Sequence, residues 1–136
     1  MTLSPSAVRI LIVDDERNNR KLLEVMLLAE GYILLTAETG EEALAIAAEH
    51  LPDLMLLDIM MPGMDGYQVT AQIKANDRTR NTLVILLSAL DDQNSRKHGL
   101  SAGADDFLTK PVDRSELCAR VSALLDRRQS SASRTG

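Results

Sequence analysis

The sequence predicts an α/β fold: a doubly wound (βα)5 sandwich with one five-stranded parallel sheet. Two observations carry this. Short apolar runs alternate with segments of helical periodicity in five successive units, which argues for a parallel sheet with helices on both faces. The chain has 136 residues, 45% of them hydrophobic, which suits one domain with a real core.

Each element has its own signal. Residues 1–6, "MTLSPS", form a polar, flexible arm, and the domain is expected over 7–127. Val8 to Val13, "VRILIV", is a branched apolar run and reads as the first strand. From Glu16 to Glu30 the pairs Leu22/Met26 and Leu23/Leu27 recur at helical spacing, and Gly31 stops the helix. Tyr32 to Ala37 is the second strand. Thr39 caps the next helix, with Glu42 completing a capping box, and the helix runs to about His50. Leu54 to Leu57 is the third strand, and Asp65 to Ala75 a helix that turns Val69 and Ile73 inward. Leu83 to Leu87 is the fourth strand, Asp91 to Ala102 the fourth helix, and Phe107 and Leu108 the short fifth strand. The last helix, Asp113 to Arg127, buries Leu117, Val121, Leu124 and Leu125. The Ser- and Arg-rich residues 128–136 lack apolar anchors and read as a flexible tail or a truncated linker. Right-handed crossovers and five strands favour the flavodoxin-like order 2-1-3-4-5, in which ligands bind outside the carboxyl ends of the strands.

That rule selects the residues to weigh. The first strand ends in Asp14, Asp15 and Glu16, the third in Asp58, the fourth in Ser88 and the fifth near Lys110, which Pro111 follows. Each alone has an ordinary explanation: Asp15 a helix cap, Asp58 a turn residue, Ser88 a cap, Lys110 a solvated lysine. Together they bring three carboxylates, a hydroxyl and an ammonium to one end of one sheet. Three such carboxylates repel one another unless cations compensate. Lys110 supplies one charge, and an all-oxygen donor set favours magnesium, with manganese as a substitute. Such a site suits an incoming phosphoryl group with one carboxylate as nucleophile.

Composition narrows the partners. A net charge of −5 and a pI near 5.0 disfavour direct nucleic-acid binding, and Tyr32, Tyr67 and Phe107 are too scattered for a stacking platform. Cys118 is the sole cysteine, no segment is long and apolar enough for a bilayer, and the start lacks a signal-peptide pattern, so a cytoplasmic protein without membrane attachment is expected. His50 and His98 lie outside the strand-end cluster and carry no expected role. Met55, Met60, Met61 and Met64 read as core and loop filler.

The segments "ILIVDDE", "DLMLLDIMMPGMDGYQV", "VILLSAL" and "GADDFLTKPVDRSEL" together resemble the receiver domain of two-component response regulators, from about Val8 to Arg127. The resemblance implies that Asp58 is the phosphoacceptor, fed by a sensor histidine kinase or a histidine phosphotransfer protein. It implies that Asp14, Asp15, Asp58 and the backbone carbonyl of Met60 hold magnesium, and that Lys110 pairs with the acceptor. Ser88 is the switch hydroxyl and Phe107 the switch aromatic, although an edge-strand core residue is the plain alternative for Phe107. Lys110–Pro111 is the cis-peptide candidate. Output is a shift of the face built from the fourth helix, fifth strand and fifth helix, which controls an effector or fused output domain and is also where a homodimer would form.

Two finer expectations follow. The segment "LDDQNSRKHGLSAGADD" is poorly amphipathic, so the fourth helix should be the most mobile of the five. Met60 and Leu90, each two residues beyond a site residue, are apolar where family members often carry polar groups, which predicts slow loss of the phosphoryl group. Three rivals are weaker. An aspartate-nucleophile phosphatase commonly has an acid where Met60 stands. A nucleotide or flavin binder needs a glycine-rich turn where this chain has "VDDERNN". A module that pairs without phosphorylation would not need Asp14, Asp15, Asp58, Ser88 and Lys110.

Overall fold

The computed structural model describes residues 8–89 and 93–135, with side chains through Arg128. The elements are β1 (Arg9–Val13), α1 (Arg17–Leu28), β2 (Ile33–Ala37), α2 (Gly40–His50), β3 (Leu54–Asp58), α3 (Gly66–Ala75), β4 (Leu83–Ser88), α4 (Gln93–Ala102), β5 (Asp106–Thr109) and α5 (Arg114–Thr135). The five strands are parallel, in the order β2-β1-β3-β4-β5, as expected. Among the described residues no helix is long and apolar enough to cross a membrane.

Strand alternation builds two cores. Successive side chains of a strand face opposite sides, so each strand feeds both layers. Leu11, Val13, Met55, Leu57, Val84 and Leu86 pack with Ala43 and Ala47 of α2 and with Val69 and Ile73 of α3. Ile10, Ile12, Leu54, Leu56, Ile85 and Leu87 pack with Leu23 and Leu27 of α1 and with Leu117, Val121 and Leu124 of α5. The central strand β3 is buried along its whole length, which explains why "LMLL" shows no polar alternation.

Several boundaries differ from the expectation. Val8 and Tyr32 precede their strands. Glu16 is the N-cap of α1 and Ala29 its C-cap, while Gly31, at φ +82°, closes the turn beyond. Thr39 caps α2 by accepting from Glu42 N (3.0 Å), but the Glu42 carboxylate reaches back to Glu38 N (2.6 Å) rather than completing the box. The full capping box belongs to α3, between Asp65 and Gln68. The largest correction is at the end of the chain, where α5 continues past Arg127 to Thr135. Propagating an established helix needs no apolar anchor, and Arg, Gln, Ser and Ala carry it once Leu117 to Leu124 have fixed the start. The expected arm 1–6, Leu90 and the start of the fourth helix at Asp91 lie outside the described residues.

Candidate functional site

The same alternation assembles the site. Asp14 continues the parity of Ile10 and Ile12, Asp58 that of Leu54 and Leu56, and Lys110 that of Leu108, so all three emerge on the α1/α5 side. Ser88 continues the parity of Val84 and Leu86, the side on which Phe107 packs. The register fixes the heights: Asp58 pairs with Leu87, Ser88 with Thr109, and Lys110 N donates to Ser88 O at 2.7 Å.

Lys110 Nζ donates to Asp58 Oδ1 at 3.0 Å and to Asp14 Oδ2 at 3.4 Å. Asp14 and Asp58 are 0% and 5% exposed, whereas Asp15 is open to solvent. One oxygen of each of the three carboxylates lies within 4.8 Å of the others. Burial pushes the Asp58 carboxyl above its ordinary range; Lys110 opposes that shift, and the charges of Asp14 and Asp15 reinforce it. Burial alone would lower Lys110, but its bond to Asp58 and the charges of Asp58 and Asp14 outweigh it and raise the ammonium. The all-oxygen donor set, with more negative charge than Lys110 can neutralise, fits a hard divalent cation.

The ordinary explanations of Asp15 and Asp58 fail on position. Asp15 caps nothing, since Glu16 holds that place without a side-chain bond. Asp58 is a buried strand residue and not a turn residue, and Ser88, 1% exposed, ends β4. Phe107 is 4% exposed and belongs to a core cluster, as its plain alternative expected. The Lys110–Pro111 peptide is cis. Met60 is 67% exposed.

Local packing holds the acids in place. Asp14 N donates to Ala37 O, and Asp14 Oδ1 accepts from Glu16 N at 2.9 Å. Gly66 opens α3 directly against the end of β3: a Cβ there would lie 2.7 Å from Asp58 O, so only glycine fits. Arg20 completes the support and was not foreseen. Its Nη1 donates to Asp14 O at 2.8 Å and its Nη2 to Glu38 Oε1 at 3.0 Å, bridging the ends of β1 and β2. Its signal is phase: Arg20 stands three and seven residues before Leu23 and Leu27, on the buried stripe of α1.

A cleft of about 420 Å³ opens beside Asp14 and Lys110, walled by Leu22, Met26, Pro111 and Val112. Leu22, one of the apolar residues read from the helical repeat, is 55% exposed there. A larger cleft, about 490 Å³, lies at the opposite end of the sheet near Lys74, Leu83 and Arg128, away from the carboxylates.

A doubly wound parallel sheet with a lysine-bridged carboxylate cluster at its carboxyl edge defines a class of α/β domains whose site lies outside the strand ends. Comparison with known proteins gives the particular family: the chain belongs to the response regulator receiver domains, whose family model matches residues 10–122. The chain is 52% identical over 118 residues to response regulator PleD of Caulobacter vibrioides, covering 87% of this chain and 26% of PleD. It is 41% identical over 118 residues to the phosphate regulon transcriptional regulatory protein PhoB of Pseudomonas aeruginosa, covering 87% and 52%. The chain thus spans about a quarter of the one relative and half of the other. Among solved structures, the receiver domain of Francisella response regulator 1452 superposes with a TM-score of 0.82 at 33% identity, covering 89% of this chain and 98% of that one. The CheX–CheY–BeF3–Mg2+ complex of Borrelia burgdorferi gives 0.81 at 37% identity, covering 87% and 89%.

Proposed function

We propose that Asp58 is the phosphoacceptor of this receiver domain. The observation that carries this is the bridge from Lys110 to both Asp58 and Asp14 within a cluster of three carboxylates at the end of β3. A carboxylate oxygen of Asp58 attacks the phosphorus of a phosphohistidine, the P–N bond breaks, and an acyl phosphate forms while the histidine departs. The donor is a histidine kinase or histidine phosphotransfer protein, and the apolar cleft beside Leu22 and Met26, next to Asp14 and Lys110, is the surface it would dock against. Asp14, Asp15, Asp58 and the Met60 carbonyl would hold magnesium, which supplies charge neutralisation at the transferring group. Lys110 offsets developing negative charge, and Ser88, at the end of β4 and facing the other side of the sheet, carries the change toward Phe107 and α4.

The domain is then a signalling switch acting in the cytoplasm, with slow loss of its own phosphoryl group. Its output face is α4, β5 and α5, where Leu100 is 61% exposed, available to an effector or a second copy. Incubation with acetyl phosphate and magnesium should add one phosphoryl mass per chain, removable by hydroxylamine as an acyl phosphate is. A hydroxylamine-resistant adduct, or none, defeats the reading.

Leu90 lies outside the described residues, so the slow-loss expectation turns on Met60. Being exposed, its side chain is free to cover the acyl phosphate and hinder an attacking water. Met60→Asn should shorten the phosphoryl lifetime several-fold, followed by mass against time; an unchanged lifetime sinks the idea.

A further inference from the structure

α4 is held to the sheet by very little burial. Among the described residues it buries only Gly99, whose backbone lies so close to β4 that a Cβ would meet Leu86 at 2.8 Å and Phe107 at 3.4 Å. Leu100, its one large apolar residue, faces solvent. Side-chain clamps do the holding instead. On the β5 side, the Arg96 guanidinium lies 5.0 Å from the Phe107 ring centroid and donates to Thr109 Oγ1 at 3.3 Å. On the α3 side, the Tyr67 ring stacks on His98 with centroids 3.9 Å apart and planes 7° from parallel. The Tyr67 hydroxyl also donates to Ser95 O at 3.3 Å. One side chain therefore grips α4 at two points less than a turn apart.

Tyr67 is the second residue of α3, and the first, Gly66, touches the acceptor strand. Gly66 N donates to Ile59 O at 3.0 Å, and its Cα has no room to spare against Asp58 O. The capping box of Asp65 and Gln68 makes this first turn rigid. Any displacement of the backbone at Asp58 and Ile59 must push on Gly66, and Gly66 carries Tyr67 with it.

We propose that Tyr67 is a positioning residue that couples the β3 end to α4 through its stack on His98, a second strut beside the Ser88 and Phe107 side of the sheet. The proposal gives His98 a role and rests on the reading of Asp58 as phosphoacceptor. Coupling of this kind requires a test for non-additivity, not adjacency alone.

The test is amide hydrogen exchange on the full chain, with and without acetyl phosphate and magnesium, while intact mass records the label. The chains are wild type, Tyr67→Leu, His98→Leu, the double variant and His98→Tyr, which keeps a stacking ring. In unlabelled protein each leucine variant should speed α4 exchange about fivefold, within the range of a lost aromatic pair. The double variant should do no more than Tyr67→Leu, which already loses both the stack and the bond to Ser95 O, and His98→Tyr should stay near wild type. Slow exchange in β1 and β3 confirms that each variant is folded. On labelling, wild type should change its α4 exchange, while the leucine variants take the label equally and lose most of that response. Unchanged α4 exchange in both leucine variants, effects that multiply in the double, or a full α4 response without the stack would each overturn the proposal. Failure of wild type to take the label would instead remove the Asp58 reading, and the unlabelled comparison would still decide whether the stack holds α4.

Discussion

Asp58→Asn takes up no phosphoryl group from acetyl phosphate and magnesium, where wild type gains one, and its metal-free form is the more stable of the two at neutral pH. The first result follows because an amide is no nucleophile at that position. The second follows from the electrostatics of the cluster. The folded-state pKa of Asp58 is raised, mainly by burial, with Asp14 and Asp15 adding repulsion against the relief from Lys110. A raised carboxyl pKa contributes stability that is fully present below the unfolded value and lost as pH rises through the folded value. At neutral pH the ionised carboxylate is therefore a liability in the absence of metal, and asparagine removes it while keeping an acceptor for Lys110. The gain should be on the order of 1 kcal/mol, because Lys110 already offsets much of the repulsion. It should shrink on acidification, as wild-type Asp58 protonates, and also on adding magnesium, which wild type binds better. Thermal melts at two pH values, with and without the metal, check this. Equal labelling of both proteins would remove Asp58 as acceptor, and a less stable variant would refute the electrostatic account.

Lys110→Met keeps the aliphatic stem and deletes the ammonium. Asp14 and Asp58 then remain buried with no cation between them, and breaking a buried pair in this way costs about 3–5 kcal/mol. The Lys110 side chain is only 25% exposed and its partners 1% and 7%, so solvent offers little relief. Magnesium should restore more stability to this variant than it adds to wild type, because it supplies the missing charge. Transfer from acetyl phosphate should slow roughly 10²–10³-fold, the usual effect of removing one group that stabilises developing negative charge. Melting temperature against magnesium concentration and labelling rate read the two effects separately. Equal magnesium gains in both proteins would mean that Lys110 and the metal do not share one electrostatic task.

Much of this was legible in the sequence, for a physical reason. Parallel strands buried on both faces read as unbroken apolar runs, so "ILIV" within "VRILIV", "LMLL" and "LVILL" revealed the sheet. Residues just past such runs fall at one edge of the sheet, which brings Asp14, Asp58, Ser88 and Lys110 to that edge. Helix ends were less legible, since caps depend on a few tenths of an ångström and side chains have choices: Glu42 bonds Glu38 N where Thr39 N was expected. The length of α5 was missed because a weakly helical tail says little by itself when an anchored helix precedes it. Arg20 was hidden among the basic residues Arg17 and Lys21, and only its phase with Leu23 and Leu27 distinguishes it. The Tyr67–His98 stack could not be read at all, because nothing local in the sequence relates two residues on different helices.

The alternation within β3 and β4 has one more consequence. The acids and the cleft beside Leu22 lie on the layer shared with α1, while Tyr67, Phe107 and the underside of α4 lie on the other. The sheet acts as a partition between two compartments of selection. Under the proposed function, changes at Leu22 or Met26 would retune which donor is accepted and leave the opposite layer intact, and changes at His98 or Arg96 would alter the response and leave the donor surface untouched. One domain can thus be re-addressed at its input or its output independently, because neighbouring residues of the same strand answer to different sides.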